Sequence, residues 1–297
     1  MEDLISVIMS VYNESIDEIQ KSVNSILNQS YSNIEFIIVI DNPDNTKLEK
    51  YLYSLNDPRI RIIKNEKNIG LVKSLNKAIA LAKGNYLARM DADDISAVDR
   101  LKYQKDFLDK KKLDLVGGNI DLIDENDNLI SKNHFPSQQF WIQIFLKWGN
   151  CIPHPTWLLR KEVYRTLNGY REVPRCEDYD FVCRTLQQNF KIGNVDKFIL
   201  KYRIRSNSIS NSNRSAQYIL RRFISKRKNS CISEQEIDIY LNSDIFSNDI
   251  KEYENFIKLK TEIKKHPTIK NFIRLCVNRN TYVLGIEKIS LKLRNLV

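Results

Sequence analysis

Carboxylates gather at two places in the first hundred residues: Asp41, after a β-branched run, and Asp91-Ala92-Asp93-Asp94. Acidic side chains repel a diphosphate unless a divalent cation lies between them, and hard oxygen ligands suit Mn²⁺ or Mg²⁺. In the D-x-D spacing, Asp91 and Asp93 can divide the task, one toward a nucleotide and one toward the metal. A local reading competes, in which Asp94 or Ser96 caps a helix starting near Ala97. Position favours the first, because several carboxylates at the ligand end of a sheet require a compensating charge. The glycine loops that cradle phosphate, GxxxxGK[ST] and GxGxxG, are absent. Glu177 and Asp178 open a predicted helix, where by themselves they read as stabilising its dipole. His154 stands between two prolines in IPHPT, a rigid extended loop, and alone reads as a structural hydrogen-bonder.

These groups need elements to hold them. Residues 5–11 are β-rich, and Ile16, Ile19, Val23, Ile26 and Leu27 follow at helical spacing. IEFIIVI at 34–40 is continuously apolar, as a strand covered on both faces of a parallel sheet should be. Helices over 48–55 and 71–82, the latter closed by Gly84, alternate with strands over 60–63 and 86–90. The alternation predicts a doubly wound α/β sheet whose ligands bind beyond the strands' carboxyl ends, where Asp41 and Asp91 fall. Beyond this the pattern loosens. It predicts a strand over 113–116, a hairpin through Asn126-Asp127, an amphipathic helix over 140–148, a strand over 156–159, a helix over 177–189, and strands over 191–195 and 198–204. Residues 206–215 read as a linker, after which helices are expected to start near Ser215, Ser233, Ser247 and Thr268.

Several of these segments together resemble a family 2 glycosyltransferase of GT-A fold: SVIMSVYN (6–13), SILNQSYSNIEFIIVID (25–41), KNIGLVKSLNKAIALAKGNYLARMDADDIS (67–96), HPT (154–156) and EDYD (177–180). The resemblance spans about residues 3–210, so the chain divides into a catalytic domain over 1–210 and a basic, mostly helical region over 211–297. It implies an inverting, nucleotide-sugar-dependent transferase of bacterial surface-polysaccharide type, serving O-antigen, capsule or exopolysaccharide assembly. Carried over, Ser10, Tyr12 and Asp41 contact the base, with Glu14 nearby. Asp91 lies by the ribose and Asp93 holds the metal. Asp178, with Glu177 beside it, supplies the catalytic base, and His154 lines the acceptor side. Arg89 meets the donor or pairs with the acidic cluster. Trp141, Trp148 and Trp157 read as core and cleft wall. Two departures stand out. The family's usual VDDGSTD reads VIDNPDN here, keeping only Asp41 of the paired aspartates, and Arg205 stands where relatives often carry a histidine able to reach the metal. An arginine cannot ligate a cation, although it can pair with phosphate.

The charge of +10 is uneven. Residues 1–200 hold 27 Lys and Arg against 28 Asp and Glu, whereas 201–297 hold 20 against 9. In ILRRFISKRK (219–228), Ile219, Leu220, Phe223 and Ile224 interleave with Arg221, Arg222, Lys226, Arg227 and Lys228 at helical spacing, the pattern of an interfacial helix on an anionic membrane. Packing of that apolar side on the catalytic domain is the alternative. No run reaches the roughly 18 apolar residues of a membrane span, and the start lacks a secretion signal. The expected location is cytoplasmic, peripheral at the inner face of the membrane. Five cysteines without a close CxxC pair read as reduced thiols. The expected donor is a UDP-sugar carrying glucose or galactose, and the expected acceptor is an undecaprenyl-diphosphate-linked sugar such as GlcNAc. The rivals are a protein or soluble-glycan acceptor, a non-catalytic partner subunit, and a nucleic-acid-binding tail. The last is disfavoured because aromatics are not interleaved with the basic run as stacking platforms.

Overall fold

The computed structural model describes residues 2–205, 214–226, 232–265 and 280. Its first part alternates as the pattern predicts: β1 (Ile5–Val11), α1 (Ile16–Leu27), β2 (Ile34–Ile40), α2 (Thr46–Ser54), β3 (Ile60–Lys64), α3 (Leu71–Leu81) and β4 (Tyr86–Arg89). There follow β5 (Ile95–Ser96), α4 (Arg100–Lys111), β6 (Leu115–Ile123), β7 (Leu129–Asn133) and α5 (Gln139–Phe145). A 3₁₀ turn (His154–Thr156), β8 (Leu158–Arg160), α6 (Lys161–Leu167), α7 (Glu177–Gln187) and β9 (Ile192–Arg203) complete the sheet-bearing part. The basic region adds α8 (Arg214–Lys226), α9 (Glu234–Leu241) and α10 (Asp244–Lys265).

One mixed sheet runs β3-β2-β1-β4-β8-β6-β9-β5, with β7 paired to β6. The strands β3, β2, β1 and β4 are parallel, so their carboxyl ends share one edge. Alternation along the strands sorts side chains to opposite faces. Val7 and Met9 of β1 and Phe36 and Ile38 of β2 pack with Ile19, Val23 and Ile26 of α1, Leu48 of α2 and Leu101 of α4. Ile8, Ile37 and Val39 meet Leu75 of α3, Phe145 of α5, Tyr164 of α6 and Phe181 of α7 on the other face. The sheet is therefore covered on both sides, as the continuously apolar β2 requires.

Several boundaries differ from expectation. Residues 95–96 pair with β9, so the helix expected near Ala97 begins at Arg100 instead. Neither Asp94 nor Ser96 caps it; Asp94 accepts the Arg203 backbone N–H at 2.8 Å. Gly84 does not close α3, which ends through Ala82. It admits a close crossing instead, since a Cβ there would lie 2.5 Å from the Leu4 carbonyl. The strand expected at 113–116 lengthens to nine residues because β8, β9 and β7 all pair with it. The two strands expected over 191–204 are one, carried past a register irregularity by continuous pairing to β6. The 3₁₀ turn occupies the start of the strand expected at 156–159, and α6, of seven residues, was not predicted. Ser233 caps α9 through a capping box, whereas α10 starts before Ser247, with Ser243 Oγ accepting from the Phe246 N–H. The expected linker at 206–213 and helix near Thr268 lie outside the described residues.

For the amphipathic α8 the packing alternative holds. Ile219, Leu220 and Ile224 are buried in the core that also holds α7 and α9. Tyr218 stacks on Tyr253 of α10 at 4.2 Å between ring centroids, and Phe223 on Tyr240 of α9 at 3.8 Å. The apolar stripe is covered by protein and does not face outward as an interfacial helix requires. Arg227 and Lys228 lie outside the described residues. Among the described residues no helix is long and apolar enough to cross a membrane. Cys151, Cys176 and Cys183 are free thiols.

Candidate active site

The shared carboxyl edge of β1, β2 and β4 collects the residues singled out in the sequence. Ser10 is half-buried in β1, and Tyr12 just beyond is 43% exposed. The Tyr12 N–H donates to Glu14 Oε2 at 2.7 Å, folding Glu14 back toward the sheet. Burial raises the Glu14 carboxyl, which also feels Asp91 and Arg205. Asp41 is buried and well used. Its Oδ1 accepts from Asn65 Nδ2 at 2.8 Å and from the Ile69 N–H at 2.9 Å, and its Oδ2 from the Gly70 N–H at 2.9 Å. Gly70 has φ of +86°, a conformation glycine adopts freely, and it is the N-cap of α3. Asp41 thus clamps the β3–α3 loop against the end of β2.

Carboxylate oxygens of Asp91, Asp93 and Asp94 lie within 4.8 Å of one another. Ser22 Oγ donates to the Asp91 carbonyl at 2.9 Å, tying this loop to α1. The Asp91 carboxylate forms an ion pair with Arg89, a buried side chain at the end of β4. Arg203 staples the loop from beyond: Nε donates to the Asp93 carbonyl and Nη1 to the Asp124 carbonyl, each at 2.9 Å, and Nη2 reaches Asp127 Oδ1 at 2.5 Å. Burial and the neighbouring Asp91 push Asp93 up to about 6. The same causes, with Asp93 added, push Asp94 well above the usual carboxylate range. Asp94 Oδ2 is buried without a hydrogen-bond partner. An orphaned oxygen beside two further carboxylates suits a divalent cation in the hard-oxygen class. Arg205 also faces the cluster, its Nε 3.0 Å from Asp93 Oδ2.

The opposing group is the first turn of α7. Asp178 Oδ2 accepts from Asn150 Nδ2 at 2.7 Å, and Oδ1 from the Tyr179 N–H at 2.7 Å. Burial raises Asp178, against these donors. Glu177 rises to about 7 through burial and the adjacent Asp178, with Arg89 acting in the opposite sense. Arg89 is thus within electrostatic reach of both acidic groups. The turn before α7 is held by α8. Arg175 has φ of 60°, and its carbonyl accepts from Gln217 Nε2 at 2.7 Å. The Cys176 thiol donates to the Gln217 carbonyl at 3.6 Å. In the same first turn, buried Asp180 pairs with Arg171 and with Arg184, whose Nε lies 2.8 Å away.

His154 does not stand on an open wall. It is 8% exposed, with Nε2 2.7 Å from Tyr170 Oη, which in turn lies 2.6 Å from Tyr164 Oη. Burial drives its pKa well below the usual value, so the ring is neutral and serves as a hydrogen-bonding member of an aromatic core with Trp157. The 3₁₀ turn His154–Thr156, which follows Pro153, holds it inward. Trp157 is fully buried, while Trp141 and Trp148 are half-buried. Asn150, Gln217, Arg203 and Glu18 had not been singled out. Only Glu18 carries a signal, the Ser15-x-x-Glu18 capping box.

The family model for glycosyl transferase family 2 matches residues 6–167. The O-antigen biosynthesis glycosyltransferase WbnJ of Escherichia coli is 36% identical over 236 residues, 76% of this chain and 91% of its own length. A second Escherichia coli protein, UDP-Glc:alpha-D-GlcNAc-diphosphoundecaprenol beta-1,3-glucosyltransferase WfgD, is 29% identical over 71% of this chain and 82% of its own. Among solved structures, the mannosyltransferase PcManGT of Pyrobaculum calidifontis, in complex with GDP-Man and Mn²⁺, superposes with a TM-score of 0.60 at 14% identity, covering 98% of this chain and 86% of its own. With a mixed sheet, acidic strand ends and relatives of this kind, the chain belongs to glycosyl transferase family 2 and has the GT-A fold.

Proposed function

We propose that the protein is an inverting, metal-dependent hexosyltransferase that moves glucose or galactose from a UDP-sugar to a lipid-diphosphate-linked sugar during surface-polysaccharide assembly. One observation carries the reading: Arg89, which pairs with Asp91 of a three-carboxylate cluster at the end of β4, also acts electrostatically on a half-buried acidic pair at the start of α7. Ser10, Tyr12 and Glu14 line the nucleotide side, and Asp41 shapes its floor. Asp91 and Asp93, with Asp94 behind them, would hold Mn²⁺ or Mg²⁺, which when bound neutralises charge on a leaving diphosphate. Asp178 takes the proton of the acceptor hydroxyl while that oxygen bonds to the anomeric carbon. The bond from that carbon to the diphosphate oxygen breaks, UDP departs, and the configuration inverts. Proton transfer of this kind is typically worth about 10²–10⁴ in rate. The two hydrogen bonds into Asp178 fix the carboxylate for that transfer.

The lipid-linked acceptor is supported by the named activity of WfgD, and the polysaccharide pathway by that of WbnJ. We take residues 1–210 as the catalytic unit and 211–297 as a region that braces α7 and, through its excess of basic residues, draws the enzyme to the anionic inner face of the membrane. Release of UDP from a panel of UDP-sugars, with Mn²⁺ or Mg²⁺ and undecaprenyl-diphosphate-GlcNAc, tests the reading. Metal-dependent turnover with one donor is expected. Turnover only with a protein or free glycan would replace the acceptor, and turnover only with GDP-sugars would replace the donor.

A further inference from the structure

Two arginines close β9 and its exit, and their surroundings differ. Arg203 is 3% exposed and its guanidinium is committed to the Asp93 and Asp124 carbonyls and to Asp127. Arg205, two residues on, has a side chain 26% exposed, and its guanidinium lies against two carboxylates, those of Glu18 and Asp93. Nε lies 3.0 Å from Asp93 Oδ2, and Nη2 lies 3.0 Å from Glu18 Oε1. Glu18 is anchored independently: its Oε2 accepts from the Ser15 N–H at 2.8 Å and from Ser15 Oγ at 2.7 Å. One guanidinium is therefore shared between a fixed carboxylate in the cap of α1 and a member of the cluster that would hold the metal.

We propose that Arg205 is an internal counter-cation for Asp93, which a divalent ion displaces and which then pairs with the donor's diphosphate, so that metal and nucleotide enter together. The inference rests on the donor reading above. A guanidinium has five donors and no lone pair, so it offsets the charge of Asp93 without ligating a metal. A divalent ion on the same carboxylate meets an adjacent positive charge, which weakens its binding while Arg205 stays. The planar fork of arginine matches phosphate oxygens, and a diphosphate arriving beside the cluster gives Arg205 a partner stronger than a single carboxylate oxygen. By linkage, the factor by which nucleotide tightens metal binding equals the factor by which metal tightens nucleotide binding.

The test is Mn²⁺ titration of the full chain and of Arg205→Gln, Arg205→Ala and Arg205→Lys, with and without UDP, following free Mn²⁺ by electron paramagnetic resonance after matching thermal melts. Arg205→Gln keeps most of the stem, so the test survives if the alanine variant is poorly folded. Without UDP, the glutamine variant should bind Mn²⁺ at least about tenfold tighter than the native chain. The factor by which UDP improves Mn²⁺ binding should shrink to match. Without UDP, Arg205→Lys should stay close to the native chain, because charge is what opposes the metal, whereas UDP should improve its Mn²⁺ binding by a smaller factor, because an ammonium lacks the fork. Equal Mn²⁺ affinity of the native chain and Arg205→Gln without UDP, with UDP-dependent binding intact in both, overturns the proposal and leaves the donor reading standing. No Mn²⁺ binding by any of them, even with UDP, overturns both.

Discussion

The proposed donor wall and the proposed base wall are built by different kinds of contact. Asp41 and Asp91 follow parallel strands on either side of β1, and the segments that tie them down, the start of α3 and α1, both pack on that sheet. Glu177 and Asp178 open a helix, and the groups that hold its start come from segments outside the sheet. Asn150 reaches Asp178 from the loop after α5, and Gln217 reaches Arg175 from the basic region. The donor wall is thus a property of the sheet, whereas the base wall depends on α8 staying docked. A region that reads as an appendage by composition helps, through Gln217 of α8, to hold the turn before α7.

This contrast can be broken by substitution. The largest effect is expected from Asp178→Asn, which should lower kcat by about 10²–10⁴ while leaving UDP affinity within about twofold. Steady-state kinetics and UDP titration check it. Asp41→Ala removes the acceptor for three donors and should lower stability by about 3 kcal/mol in urea unfolding at unchanged m. A loss under about 1 kcal/mol would mean that the clamp is not holding the loop. Gln217→Ala should reduce kcat about three- to tenfold with the donor KM unchanged, because it frees the turn before α7 and touches nothing on the donor wall. A raised donor KM would show that the walls are not separable.

The smallest effect concerns pH. Folded Glu177 keeps its proton up to about 7 against an ordinary 4.5, so the native chain binds more protons than the unfolded one across that window. Stability therefore falls as pH rises from about 4.5 to about 7. Glu177→Gln cannot ionise and should flatten that decline, measured as urea midpoints at pH 5 and pH 8. An unchanged slope would mean that burial beside Asp178 does not hold the carboxyl up.

The same contrast explains what was legible in the sequence. β1 and β2 are apolar runs, Asp41 follows β2 directly and Asp91 follows β4 two residues on, so the proposed donor wall could be read from local pattern. Glu177 and Asp178 stood out by their motif, but Asn150 and Gln217 gave no local signal, since each acts through one tertiary hydrogen bond. The stripe on α8 shows the limit of amphipathicity. Ile219, Leu220 and Ile224 at helical spacing say that one face must be covered, without saying whether lipid or protein covers it. His154 was legible as a rigid loop residue but not in direction, because the 3₁₀ turn that aims it inward is set by packing against Tyr170. Arg205 was legible as a departure at a metal-side position, while its partner Glu18 was hidden inside an ordinary capping box.

The most direct test of the two-wall account compares Asp93→Ala and Asp178→Asn with the native chain for Mn²⁺-dependent UDP binding and for turnover with the active UDP-sugar. The account predicts that both variants lose turnover, that Asp93→Ala alone loses metal-dependent UDP binding, and that Asp178→Asn binds like the native chain. Turnover retained in Asp178→Asn, or Mn²⁺-dependent UDP binding retained in Asp93→Ala, would contradict it.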